Sequence, residues 1–205
     1  MFRDRIDAGQ KLALKLKAKY PKIKNGVVLA LPRGGVAIGY EIAQKLNLPF
    51  DIIVTRKIGA PLNPEYAVAA VSAHELIVSS RENPDPEYLE GEARKERQEI
   101  QRRFKEYRGP KPEIDLKNKT VILVDDGLAT GLTMEVALRE VREKNPHRII
   151  LAVPVAPPET IERLKKIVEE AIVLSIEPMF FAVGQFYDDF SQVSDEEVKN
   201  LLKDN

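Results

Sequence analysis

Five short runs of aliphatic and β-branched residues constrain this chain more than any other feature: GVVLAL (26–31), DIIVT (51–55), TVILV (120–124), RIILAV (148–153) and AIVLS (171–175). Each reads as a buried strand. The segments around them carry apolar residues at helical spacing. Ile6, Gly9, Ala13, Leu16 and Tyr20 share a stripe before the first run; Ile38, Ile42, Ala43 and Leu46 follow it; Met134, Ala137, Leu138 and Val141 mark a helix near 131–144, and another is expected near 158–170. Such alternation predicts an α/β fold, a mostly parallel twisted sheet of about five strands with helices on both faces.

Two regions break the rhythm. GAPLNPEYAVAAVSAHELIVSS (59–80) reads as a loop and a small hairpin, and 87–108 as a long, highly charged helix. Its Arg94, Lys95, Arg97, Arg102, Arg103, Lys105 and Arg108 are interleaved with Glu90, Glu92, Glu96, Glu99 and Glu106, the pattern of a solvated helix laced with i,i+4 pairs rather than a nucleic-acid face. At the C-terminus, Ser194 and Glu197 form a capping box, which accounts for Asp195, Glu196 and Glu197 without a metal. The expected organisation is one domain, 1–205, with an insertion at about 59–112 and a small C-terminal hood at about 176–205.

Composition removes several function classes. Thirty-two basic and 32 acidic residues give a net charge of zero, so no global field attracts nucleic acid. The chain has no cysteine, hence no disulfide and no thiolate metal site. Its longest apolar runs are far too short to span a membrane, and MFRDRIDAGQ does not resemble a signal peptide, so a cytoplasmic location is expected.

The chemistry concentrates in VILVDDGLATGLTM (121–134). In an open parallel sheet ligands bind beyond the carboxyl ends of the strands, and Asp125 and Asp126 stand at such an end. The turn Gly127, Leu128, Ala129, Thr130, Gly131 leads into a helix, so its amides and the helix's positive end suit a phosphate, with Thr130 and Thr133 adding hydroxyls. A carboxylate pair repels a second phosphate but accepts hydrogen bonds from vicinal hydroxyls. Together these groups describe a site for a ribose 5-phosphate.

The stretch resembles the signature of the type I phosphoribosyltransferases, in which four apolar residues and two acids precede a small-residue turn closing on Thr-Gly-x-Thr. The resemblance implies phosphoribosyl pyrophosphate as ligand, with Asp125 and Asp126 on the ribose hydroxyls and Gly127 to Thr133 on the 5-phosphate. ALPRGG (30–35) is similar to the family's pyrophosphate loop, which implies Arg33 as cation, Gly34 and Gly35 as amide donors, and a cis peptide between Pro32 and Arg33. TRKIGAP (55–61) resembles the Arg-Lys that meets pyrophosphate in adenine and orotate enzymes, pointing to Arg56 and Lys57. The segment that follows matches the mobile catalytic loop, where Glu65 is the charged residue of interest. FAVG (181–184) resembles a base-binding edge, with Phe180 and Phe181 as stacking candidates.

Departures from the family bear on the acceptor. Hypoxanthine-guanine enzymes carry an Asp where this chain has Ala129, and the Lys that reads a 6-oxo group is absent, the strand running instead into Pro154, Val155, Ala156 and Pro157. The resemblance therefore implies a Mg²⁺-dependent pentosyl transfer to a planar nitrogen base, with adenine ahead of guanine or hypoxanthine, as in purine salvage. No protein group is assigned as a direct metal ligand; Mg²⁺ is expected on the ligand, at most reaching Asp125 and Asp126 through water. The oligomeric state stays open, a homodimer included. The alternative is a regulator that senses phosphoribosyl pyrophosphate or a nucleotide without turnover.

Overall fold

The structure is a computed structural model and describes residues 1–203, so the last two residues of the expected hood lie outside the described part. Its central sheet has five strands in the order β2-β1-β6-β7-β8: β1 (Gly26–Ala30), β2 (Phe50–Ile52), β6 (Thr120–Val124), β7 (Arg148–Ala156) and β8 (Glu170–Ile176). Every pairing in it is parallel, with Gly26 to Ala30 opposite Thr120 to Val124 along the centre. Alternate residues feed two cores. Val28, Ala30, Ile122 and Val124 face α1 (Arg5–Lys19) and α2 (Gly34–Leu46), while Val27, Leu29, Val121 and Leu123 face α4 (Leu132–Glu143) and α5 (Pro158–Leu164). Both faces being covered, the strands are continuously apolar, as read from the sequence.

Three details differ from expectation. The region 56–78 is a three-stranded antiparallel sheet, β3 (Arg56–Ala60), β4 (Asn63–Val71) and β5 (Leu76–Val78), rather than a loop with a small hairpin. Its first strand is hidden in the sequence because RKIGA alternates no apolar face and buries only Ile58. The helix expected near 158–170 ends at Leu164, because Ile167 turns back into the core and its carbonyl is held by Arg142 at 3.2 Å. Ile53 to Thr55 continue β2 in sequence without strand pairing, although the Ile53 amide still donates to Ala30.

The charged helix is α3 (Pro86–Arg108), capped by the Asp85 side chain and closed at Gly109. It carries the pairs expected of a solvated helix, Glu99 with Arg103 and Arg102 with Glu106 among them. The capping box opens α6 (Asp195–Lys203): the Ser194 amide donates to Glu197 at 2.7 Å and the Glu197 amide to Ser194 Oγ at 3.1 Å. No helix among the described residues is long and apolar enough to cross a membrane.

Candidate active site

From β1 the chain crosses to β2 on one side, and from β6 it crosses to β7 on the other, so the crevice beyond β1 and β6 is the topological switch point of the sheet. Two loops meet there, 31–34 and 125–131, tied where the Leu31 amide donates to Val124 at 2.9 Å. They border a cleft of about 870 Å³ that gathers Lys57, Glu65, Asp125, Asp126, Thr130 and Thr133 from distant parts of the chain.

The turn after β6 leaves backbone amides open toward the cleft. Its carbonyls are drawn toward α5: Ala129 accepts from Thr160 Oγ1 at 2.7 Å, and Thr130 accepts from the Arg163 guanidinium. With the carbonyls turned outward, the amides of Ala129, Thr130 and Gly131 have no protein acceptor among the described residues and lie at the positive end of α4. Gly131 has φ +72°, and a β-carbon there would stand 2.6 Å from Thr160, so the turn requires glycine on both counts. Leu128 contributes no amide, because its N–H is bonded to Val155 at 3.0 Å.

The two acids occupy unequal places. Asp126 receives the Nε of Arg5 on Oδ2 at 2.8 Å, and its backbone carbonyl accepts the Tyr187 hydroxyl at 2.6 Å. Asp125 Oδ1 accepts the Asp126 amide at 2.8 Å, and among the described residues no cation pairs with it directly. Burial, then the charge of Asp126, pushes the Asp125 carboxyl well above its ordinary range; Lys57 and Arg5 oppose this from a distance. Asp126 is also raised by burial, with Arg5 working against the rise. Tyr187 is pushed up by its own burial and by Asp126.

Gly34 and Gly35 let the two loops nest. A β-carbon on Gly34 would lie 1.8 Å from Asp126 Oδ2, and one on Gly35 would lie 2.9 Å from the Asp125 Cα. Gly34→Ala is therefore expected to displace the Asp126 carboxylate from Arg5 and destabilise the fold by about 1.5–3 kcal/mol, the worth of one hydrogen bond to a charged group. Chemical denaturation of the variant checks this.

Several residues expected at the site stand elsewhere. Arg33 does not border the cleft; its guanidinium lies 3.6 Å from Asp195 at the start of α6. The Pro32–Arg33 peptide is cis, as the resemblance implied. Gly35 offers no amide, since its N–H is bonded to Leu31. Arg56 reaches the cleft, but its Nε is held by Glu96 of α3 at 2.6 Å. Phe180 packs on Phe186 and Phe181 is 90% exposed; both line a shallow groove beside Ala129 and Thr130, because Gln185 accepts the amides of Phe181 and Ala182 and turns this segment outward. Val183 and Phe190 form the cleft wall instead.

Arg5, Tyr187, Phe190, Thr160 and Arg163 carry no local signal in the sequence, because each acts on the site from another element. Among the described residues no three carboxylate or histidine groups converge as a metal centre.

Comparison with known proteins bears on the family and the fold. The family described as "Phosphoribosyl transferase domain" matches residues 3–191. A Mycobacterium tuberculosis protein provisionally named a phosphoribosyl transferase is 37% identical over 98% of this chain, which spans 46% of that relative's length. The crystal structure of TT1426 from Thermus thermophilus superposes with a TM-score of 0.83 at 43% identity, covering 100% of this chain and 98% of that one. The purine phosphoribosyltransferase of Pyrococcus horikoshii shares the fold alone, with a TM-score of 0.50 at 18% identity over 93% of both chains.

Proposed function

Since the chain belongs to the phosphoribosyl transferase domain family, we propose that it transfers the 5-phosphoribosyl group of phosphoribosyl pyrophosphate to a nitrogen base, releasing pyrophosphate. The observation that carries this reading is the opposition of two unlike surfaces within one cleft, the amide cradle of Ala129 to Gly131 and the carboxylates of Asp125 and Asp126. An anion fits the first and a vicinal diol the second, and a sugar phosphate carries both.

Breaking the bond at the anomeric carbon develops oxocarbenium character, which nearby carboxylate charge stabilises. In this role Asp125 supports the ribose, while Lys57 and Arg56 draw negative charge on the leaving pyrophosphate. Glu65, exposed on β4 and bordering the cleft, is the acid that would approach the ligand were the β3–β4 hairpin to close and exclude water. The donors present are hard oxygens, which fit Mg²⁺; Asp125, with no cation paired to it directly among the described residues, would meet the ion through water, and the ion would neutralise the pyrophosphate. The acceptor is left as a planar base, since the aromatic residues read as its platform lie outside the cleft.

Phosphoribosyl pyrophosphate with Mg²⁺ is expected to raise the melting temperature, because a ligand at about a hundred times its Kd adds about 2.7 kcal/mol to native-state stability. No shift at millimolar ligand would reject the reading. A screen of nitrogen bases for pyrophosphate release then separates an enzyme from a sensor, which would bind without releasing it.

A further inference from the structure

We propose that Arg5 is a positioning residue of the ribose site, holding the Asp126 carboxylate in place beside Asp125 so that the pair presents its acceptors to the sugar hydroxyls. The inference rests on the phosphoribosyl reading above and assigns a duty to a residue far from any signature motif.

Four observations converge on it. Arg5 Nε reaches Asp126 Oδ2 at 2.8 Å, with side-chain exposures of only 11% and 14%. The guanidinium lies 3.8 Å from the centre of the Phe190 ring, and its Nη1 donates to the Ser191 carbonyl at 2.7 Å. A lysine cannot make the ion pair, the carbonyl bond and the flat stack at once. Secondly, Arg5 is the first residue of α1, next to the Asp4 cap, where the positive end of the helix disfavours a cation. A residue that breaks a local rule is held by something else, and here the partner is the site carboxylate.

Thirdly, the segment carrying Arg5 is stitched to the C-terminal segment that walls the cleft. The Phe2 amide donates to Phe186, and the Asp188 and Asp189 amides donate to Phe2 and Arg3. Phe2, Tyr187 and Phe190 stack in series, and the Tyr187 hydroxyl returns to the Asp126 carbonyl. Asp126 is thus gripped at its side chain and its backbone by one composite wall. Fourthly, Asp126 Oδ2 fills the space beside Gly34, so the carboxylate that Arg5 holds is also packed against the loop after β1.

An ion pair serving stability alone would, when broken, lower the melting temperature and weaken all ligands together. A positioning role predicts discrimination. In calorimetric titrations Arg5→Gln is expected to weaken phosphoribosyl pyrophosphate with Mg²⁺ about tenfold or more, while inorganic phosphate at the amide cradle stays within about twofold. Arg5→Lys, which keeps the charge, is expected to recover to within about fivefold of the parent. Adding Asp126→Asn to Arg5→Gln should cost little more than either change alone, because the two residues act as one unit.

Equal affinity of the parent and Arg5→Gln for phosphoribosyl pyrophosphate overturns the proposal, as do equal losses for both ligands or additive effects with Asp126→Asn. If Arg5→Gln does not fold, Arg5→Lys decides: a loss of a few fold confined to the ribosyl ligand supports the proposal, and no loss overturns it. A parent that binds phosphoribosyl pyrophosphate while Arg5→Gln binds it equally rejects only the role of Arg5. A parent that binds none rejects the functional reading, and this inference with it.

Discussion

Arg108→Ala is expected to destabilise the fold by about 3–5 kcal/mol, the cost of leaving one member of a buried ion pair alone. Arg108 closes α3, and its Nε and Nη2 each meet one oxygen of Asp51 at 2.7 Å, with both side chains under a tenth exposed. The same guanidinium donates to the carbonyls of Lys111 and Pro112 and lies over the Phe104 ring. Removing it strands the Asp51 carboxylate on β2 and uncaps the segment that leads from α3 back to β6. Chemical denaturation should show a large fall in midpoint. Arg108→Met combined with Asp51→Leu should recover much of the loss, because replacing both charges removes the desolvation penalty along with the attraction. A single variant as stable as the parent would contradict this account.

Asp125→Asn is expected to weaken ribosyl phosphates by about a hundredfold, since a neutral amide replaces a charged acceptor of two hydroxyls, and at the same time to raise the melting temperature of the free protein. The second effect follows from the raised Asp125 carboxyl, held up by burial and by Asp126. A carboxyl raised in the fold contributes its stability below the ordinary carboxylate range and loses it as pH rises through the raised value. Near neutrality the parent bears that cost and the amide does not. The gain of the variant over the parent should therefore grow as pH rises from the ordinary carboxylate range toward neutrality. Melting curves across that range, with titrations at neutral pH, check both halves; a variant losing stability as pH rises faster than the parent would contradict the assignment.

These two cases mark what the sequence could carry. The five-strand sheet was legible because a parallel strand buried on both faces is apolar at every position, as in TVILV. The turn that borders the cleft after β6 was legible because its acids, glycines and threonines are consecutive, so spacing alone brings them together. Arg108 was not legible. In a helix where acids and bases alternate, nothing local distinguishes the one arginine whose turn meets Asp51 from those facing solvent. Arg5 was hidden for a different reason: its partner lies 121 positions away, and no periodicity connects them. Phe180 and Phe181 lie outside the cleft for a local reason: the side chain of Gln185, a few residues on, rather than the aromatic pattern, directs that backbone.

Three arginines near the cleft already hold carboxylates of the same chain: Arg5 with Asp126, Arg33 with Asp195 and Arg56 with Glu96. The Arg33 pair stands outside the cleft, but a polyanion that reaches Arg56 must displace Glu96, an α3 residue that itself borders the cleft. Loading would then be an exchange of counter-ions: weak anions would fail it, and α3 would register the occupant.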